Sequence, residues 1–401
     1  MRMWTYVVRR LFLLIPVIIG VMTILFILVS AVPIPERLLS VYGANRIGYN
    51  PTVPCSELTR NLSTPGNCTN PYYVRGVQDL GLNKPVPVQW GVFMLDSLTF
   101  QWGYVDNHSF VGTQFTLLAA EPVTTVLSWF LPYTIELALL SLLIIVVVSI
   151  PLGNLSAVYR NRPIDQGSRV MSFSGYALPA FLLGTLVLMA VVLAIGPLTH
   201  WASLTCKGTT IFTDFYGSWP QAGCYPGTAT YPTWLSAGQV SYPTHFPTVD
   251  AAVHGEWGIA GDTLLRMVIP ALVIAYGTIA VILRFVRNSM LEVLNLDFVR
   301  TARAKGLPES QVIRRHAGRN SLNVTVTVLG LSFAFFLGGF PVIETVFGLW
   351  GVGRMLAYSI LVPYDYGLIF GSTLLFTYLV VFANIIVDII YAYLDPRVRL
   401  G

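Results

Sequence analysis

The chain has 401 residues, of which 54% are hydrophobic and only 11% are charged. Soluble domains carry about 25% charged residues, so this balance excludes an ordinary water-soluble fold and calls for a membrane as solvent. The net charge of +5 is unevenly spread: basic residues gather in four places, and those places orient the chain.

In chain order, Arg2, Arg9 and Arg10 precede an apolar run from Leu11 to Ala31. That run of about 21 residues exceeds the roughly 7 to 15 of a signal-peptide core and matches a membrane span. Five further runs of spanning length follow, near Tyr133 to Ala157, Val170 to Ile195, Leu264 to Phe285, Val324 to Phe347 and Leu368 to Tyr393. Runs two, three and six read as uninterrupted. The fifth is broken by Gly338-Gly339-Phe340-Pro341 and carries Glu344 near its end. Helix breakers at membrane depth are tolerated where protein covers them or where they line a cavity, which points to a transport path at this position.

With six spans, the clusters Arg2/Arg9/Arg10, Arg160/Arg162/Arg169, the loop 297–321 and Arg397/Arg399 fall on one side. Lys and Arg mark the cytoplasmic side, so both termini are expected there. The expected class is an all-α polytopic membrane protein. Residues 1–31 form the N-terminus and first span, 32–126 an extracytoplasmic segment, and 127–195 spans two and three. Residues 196–262 form a second extracytoplasmic segment and 263–401 hold spans four to six.

All four cysteines, Cys55, Cys68, Cys206 and Cys224, fall in the two outer segments. An even count in an oxidising compartment suggests disulfides, most simply Cys55–Cys68 and Cys206–Cys224, although four cysteines allow three pairings. No C-x-x-C or H-x-x-x-H spacing supports a metal site. Sequons at Asn61, Asn67 and Asn107 also lie in these segments, where a glycosylating organism would find them.

The loop 297–321 sets Arg300, Arg303, Lys305, Arg314, Arg315 and Arg319 against Asp297 and Glu309. Gly306 is free to take positive φ, and Pro308 suits the first turn of a new helix with Glu309 near its positive end. Two short helices joined at Gly306-Leu307-Pro308 make a docking hairpin at the membrane surface. Such a basic loop also attracts anionic lipid, but its interleaved apolar residues give a face that charge anchoring or nucleic-acid binding does not need.

The chain has three lysines, Lys84, Lys207 and Lys305, and none completes the G-x-x-x-x-G-K-[ST] phosphate loop. No H-E-x-x-H or G-x-S-x-G motif suggests an enzyme. An ion-coupled secondary transporter is the rival class, since intramembrane acids mark such carriers. Its candidates are Glu136, Glu344 and Asp388, the last one turn from Asn384 on the same face.

The stretches FVRTARAKGL (298–307) and RHAGRN (315–320) resemble the cytoplasmic coupling loop of binding-protein-dependent ABC permeases of the dipeptide/oligopeptide branch. So do GGFPVIETVFGLWGVGRM (338–355), NIIVDIIYAYLDPRVRL (384–400), YVVRRLFLLIPVIIGVM (6–22), LGLNKPVPVQWG (80–91) and TIELALLSLLIIVVVSIPLGN (134–154). The resemblance runs through nearly the whole chain in family order. It departs in two enlarged outer regions, residues 44–75 and 196–262, and in Arg300-Thr301-Ala302, where the wider superfamily has Glu-Ala-Ala.

The resemblance implies the six-span permease fold of type I ABC importers, on the cytoplasmic membrane. It implies a second homologous permease, two ATP-binding subunits that hold ATP and Mg, and an extracytoplasmic solute-binding protein. This chain itself needs no cofactor. Phe298, Val299, Ala302 and Gly306 become the contacts inserted into an ATPase, with Arg300, Arg303 and Lys305 steering approach. Gly338, Gly339, Pro341, Glu344, Asn384 and Asp388 become path residues. The implied substrate is a di- or oligopeptide, with oligosaccharide as the alternative within the same importer type.

Overall fold

The computed structural model describes residues 3–42, 49–55, 67–114, 118–195, 246–253, 255 and 257–394. The pairing of Cys206 with Cys224, and Asn61, lie outside the described residues.

Helix α1 (Met3–Ser30) runs 28 residues, about 42 Å at 1.5 Å per residue, enough to cross a hydrocarbon core of about 30 Å. One face is buried through Met22, Leu25 and Phe26, while Phe12, Ile24, Ile27 and Leu28 are exposed, as suits lipid contact. The segment 32–126 follows as α2 (Ile34–Tyr42), strands β1 (Thr52–Pro54) and β2 (Asn67–Thr69), and helices α3 (Pro71–Asp79), α4 (Val86–Leu98) and α5 (Phe110–Gln114). The strands pair antiparallel with Val53 opposite Cys68, and Cys55 is disulfide-bonded to Cys68. Asn67 and Asn107 are exposed.

The centre of the molecule is α6 (Val123–Val158) against α10 (Trp257–Leu294). Their shared core joins Leu137, Ala138 and Ile145 of α6 to Ala271, Ile282, Leu283 and Val286 of α10. Polar side chains here serve their own helix: Ser141 and Ser149 donate to the carbonyls of Leu137 and Ile145 at 2.7 and 2.6 Å. That bond removes an unsatisfied hydroxyl from an apolar setting. Between these helices come α7 (Pro163–Ala177), α8 (Ala180–Ile195) and α9 (Pro247–Val253).

The third apolar run is not a single straight helix. Helices α7 and α8 meet at 105°, because Leu178, which precedes a proline, is extended at φ −93° and ψ 119°. Gly175 sits directly against Ala280 and the Tyr276 carbonyl, where a β-carbon would overlap, so α7 lies close on α10.

The remaining elements are α11 (Asp297–Ala304), α12 (Glu309–Gln311), a π-helical turn (Val312–Ala317), α13 (Gly318–Leu337), α14 (Pro341–Val346), α15 (Val352–Ser359) and α16 (Tyr366–Leu394). Among the described residues, stretches within α1, α6, α10 and α16 are each long and apolar enough to cross a membrane, and α7 with α8 gives a fifth span if the bent pair counts as one. The fifth run of the sequence appears as α13, whose apolar stretch Val328–Leu337 is shorter. The chain is thus a mostly helical, multi-pass membrane protein.

Candidate functional site: a surface hairpin and a broken span

The loop between α10 and α13 folds as the expected hairpin. Helix α11 ends at Lys305, Gly306 turns the chain at φ +77°, and Pro308 caps α12 from an extended conformation. A β-carbon at Gly306 would meet nothing within 4 Å, so glycine is required there by backbone conformation rather than by crowding. Arg303 reaches across the turn and grips Glu309, its Nε and Nη2 donating to Oε2 and Oε1 at 3.1 and 2.7 Å. The guanidinium holds the Glu309 carboxyl below its ordinary value.

Beneath the hairpin is a small core of its own. Val299, Ala302, Val312 and Ala317 are buried with Ala157 of α6 and Met290 and Val293 of α10. Val299 and Ala302, read from the sequence as inserted contacts, therefore face inward and bind the hairpin to the spans. On an eight-residue helix one side must pay for packing, and these two residues occupy that side. Phe298, Arg300, Arg303, Lys305 and Gly306 are exposed.

A second anchor was not legible in the sequence. Asp165, fully buried at the start of α7, accepts from Arg287 Nε on α10 at 2.7 Å and from Arg169 Nη2 at 2.7 Å. Ser156 Oγ and the Asn161 amide complete its shell at 2.8 and 2.9 Å. The only sequence signal is one acid among three arginines; its main partner lies 122 positions away.

At the far end of α13 from the hairpin, the helix ends at Gly338, Gly339 takes φ +79° and Pro341 opens α14. Glu344 is entirely buried in this break. Its Oε1 accepts from Thr134 Oγ1 of α6 at 3.0 Å and its Oε2 from the Arg354 amide at 2.8 Å. Thr134 in turn accepts the Val352 amide at 3.0 Å. A β-carbon on Gly351 or Gly353 would collide with the carboxylate, which explains the Gly-Val-Gly of this turn.

Beside the break lies an apolar cavity of about 450 Å³ lined by Ala180, Ile274, Thr278, Leu331, Phe335 and Phe340, among others. Leu331 and Phe335 are strongly exposed along it. Gly338, Gly339, Pro341 and Glu344 are thus brought together at the break. Asn384 and Asp388 sit half-buried on α16 and do not line this cavity. Glu136 is occupied elsewhere, accepting from Thr248 Oγ1 at 2.9 Å and from its amide at 3.2 Å.

The chain is 31% identical to the probable D,D-dipeptide transport system permease protein of Escherichia coli (strain K12), covering 100% of this chain and 99% of that one. It is 30% identical to the dipeptide transport system permease protein of the same strain, over 99% of each. It is 29% identical to the oligopeptide transport system permease protein of Bacillus subtilis (strain 168), over 99% of this chain and 100% of that one. The sequence model of one family matches residues 149–400, the region that holds both the hairpin and the broken span. The chain belongs to the binding-protein-dependent transport system inner membrane component family, and is a transport subunit rather than an enzyme.

Proposed function

We propose that this chain is one half of the membrane passage of an ATP-driven importer for di- or oligopeptides. The observation that carries the reading is the hairpin 297–317. It is packed on the ends of α6 and α10 and turns Phe298, Arg300, Lys305 and Gly306 outward, as a lever approached by another protein would require. Separate ATPases press on that face, and an extracytoplasmic binding protein delivers the solute. The apolar cavity beside the break in α13 and α14, open along Leu331 and Phe335, supports a passage completed by a second homologous permease. In this reading Gly338, Gly339 and Pro341 shape the passage wall and Glu344 holds the wall together. Asn384 and Asp388 act with the opposing subunit. Both termini and the hairpin are cytoplasmic. The full-length similarity to peptide permeases supports the substrate class.

The test is made on the assembled transporter. Gly306→Val places a branched side chain at positive φ, and peptide uptake with ATP turnover is expected to fall at least about tenfold while the chain still inserts. Wild-type uptake by that variant would remove the hairpin from energy coupling. A melting screen of the cognate binding protein then reads the substrate: stabilisation by short peptides supports the assignment, and stabilisation by oligosaccharides alone would transfer the importer to sugars.

A further inference from the structure

The outer ends of α1 and α16 enclose, with α2 and α4, a second cavity of about 100 Å³, several times the space one water needs. It lies far along the chain from the hairpin and shares no lining residue with the cavity beside the broken span. Its walls include Phe26 and Val29 of α1, Phe93 of α4, and Phe370 and Leu374 of α16. Among the described residues, the ionisable groups that line it are Arg37 on α2 and Asp96 on α4. Among the described residues neither side chain makes a hydrogen bond or an ion pair. Burial pushes the Arg37 guanidinium down and the Asp96 carboxyl up. Both side chains are half-exposed, so two opposite charges line one cavity and stay open to a ligand that carries the matching pair.

The walls are built rather than loose. Trp90 Nε1 donates to Thr23 Oγ1 at 3.1 Å, fastening α4 to α1. Trp102 Nε1 and Tyr378 Oη both donate to the Ser97 carbonyl, at 3.0 and 3.1 Å, and their rings stack with centroids 6.0 Å apart. The Gln89 amide is fixed by the carbonyls of Leu82 and Lys84 at 3.1 and 2.9 Å.

We propose that this cavity binds the headgroup of an ethanolamine phospholipid, with the phosphate on Arg37 and the primary ammonium on Asp96. Arginine pairs with phosphate through a planar fork of donors, and a carboxylate accepts from an ammonium. A free zwitterion such as a dipeptide offers the same two charges. The surroundings favour the lipid: Ile24, Ile27 and Leu28 of α1 and Leu95 and Leu98 of α4 are exposed apolar neighbours, a surface that acyl chains cover and a hydrated peptide does not. The cavity also sits where a transmembrane helix leaves the membrane and another enters it, the depth of a headgroup.

The experiment uses the whole transporter purified in mild detergent and counts bound lipid by native mass spectrometry after exposure to phosphatidylethanolamine, phosphatidylglycerol or phosphatidylcholine. Wild type is expected to retain phosphatidylethanolamine above the other two. Arg37→Gln and Asp96→Asn are each expected to lower that retention about fivefold or more, the scale of one charge-assisted contact. Val92→Trp, which keeps both charges and fills the cavity, is expected to do the same. Equal retention in wild type and all three variants, or equal retention of phosphatidylglycerol, would overturn the proposal. So would displacement of the lipid by millimolar dialanine, which would make the ligand a soluble zwitterion. If the variants do not assemble, phosphatidylethanolamine with a photoreactive group near its headgroup decides on the unaltered protein. Crosslinks in peptides containing Arg37 or Asp96 support the site, and crosslinks only elsewhere refute it.

Discussion

Asp165 and Glu344 are both fully buried carboxylates, yet the two ends of the molecule hold them by opposite means. At the hairpin end, Asp165 is gripped by two guanidiniums, Arg287 and Arg169. At the broken span, Glu344 is held by a threonine hydroxyl and backbone amides alone. The difference follows from where the guanidiniums go. At the hairpin end two of them, Arg287 and Arg169, are turned onto the buried acid. At the broken span Arg354 gives Glu344 only its backbone amide, while its guanidinium lies 4.2 Å over the Trp350 ring and donates to Tyr358 Oη, so neutral dipoles hold the carboxylate. One end is thereby a charged frame; the other is a closed polar knot.

The strongest way to break this contrast is to remove one side of the charged frame. Arg287→Ala leaves Asp165 buried with its main partner gone, and a loss of about 3 to 5 kcal/mol is expected. Thermal unfolding in detergent reads it, and a double variant with Asp165→Asn should recover part of the loss. Unchanged melting in the single variant would show that Arg169 alone suffices. The neutral cage should be less costly to disturb. Glu344→Gln swaps one acceptor oxygen for a donor facing backbone amides, and about 2 kcal/mol is expected. A loss as large as that of Arg287→Ala would erase the distinction between the two ends.

A third carboxylate sharpens the contrast. Asp365 caps α16 through the Leu368 amide at 2.9 Å and ties down the segment 32–126 through Ser109 Oγ at 2.8 Å and the Asp106 amide at 3.0 Å. Burial first, with nearby Asp106 adding to it, pushes its carboxyl up to about 6. A raised acid favours the protonated form in the folded state, so its stabilisation is complete below about pH 4 and is lost as pH rises through about 6. Melting should therefore rise from pH 7 to pH 5, by the equivalent of roughly 1 to 2 kcal/mol. Asp365→Asn should flatten that slope; a variant that keeps it assigns the dependence to another group. The smallest effect belongs to Arg303→Ala, which opens an exposed ion pair expected to contribute less than about 1 kcal/mol. A larger loss would mean that the hairpin depends on the pair rather than on its apolar underside.

Most of the architecture was legible from local chemistry. Apolar length located the four helices long enough to cross a membrane and the bent pair that gives a fifth, though the fifth run folds with a shorter apolar stretch, and Gly306 with Pro308 announced the hairpin. The breakers Gly338 to Pro341 marked the interruption where α13 gives way to α14. These are properties of a few consecutive residues, set by bond geometry and by transfer into lipid, so the chain states them wherever it folds. Sequence spacing also allowed the Cys55–Cys68 bridge, which the structure contains.

What folding decided is of another kind. The 105° turn inside the third run looked continuous in hydropathy because Pro179 changes direction without changing polarity. Val299 and Ala302 seemed to be contact residues until packing turned them inward. The partners of Asp165, Glu344 and Asp365 lie 122, 210 and 256 positions away in sequence. A carboxylate's position in the chain specifies its charge and its reach, but whether it meets a guanidinium, a hydroxyl or an amide depends on which helix packs against it. That choice is made by the close approach of small residues such as Gly175 and by the filling of the shared core. It exists only once the helices are together.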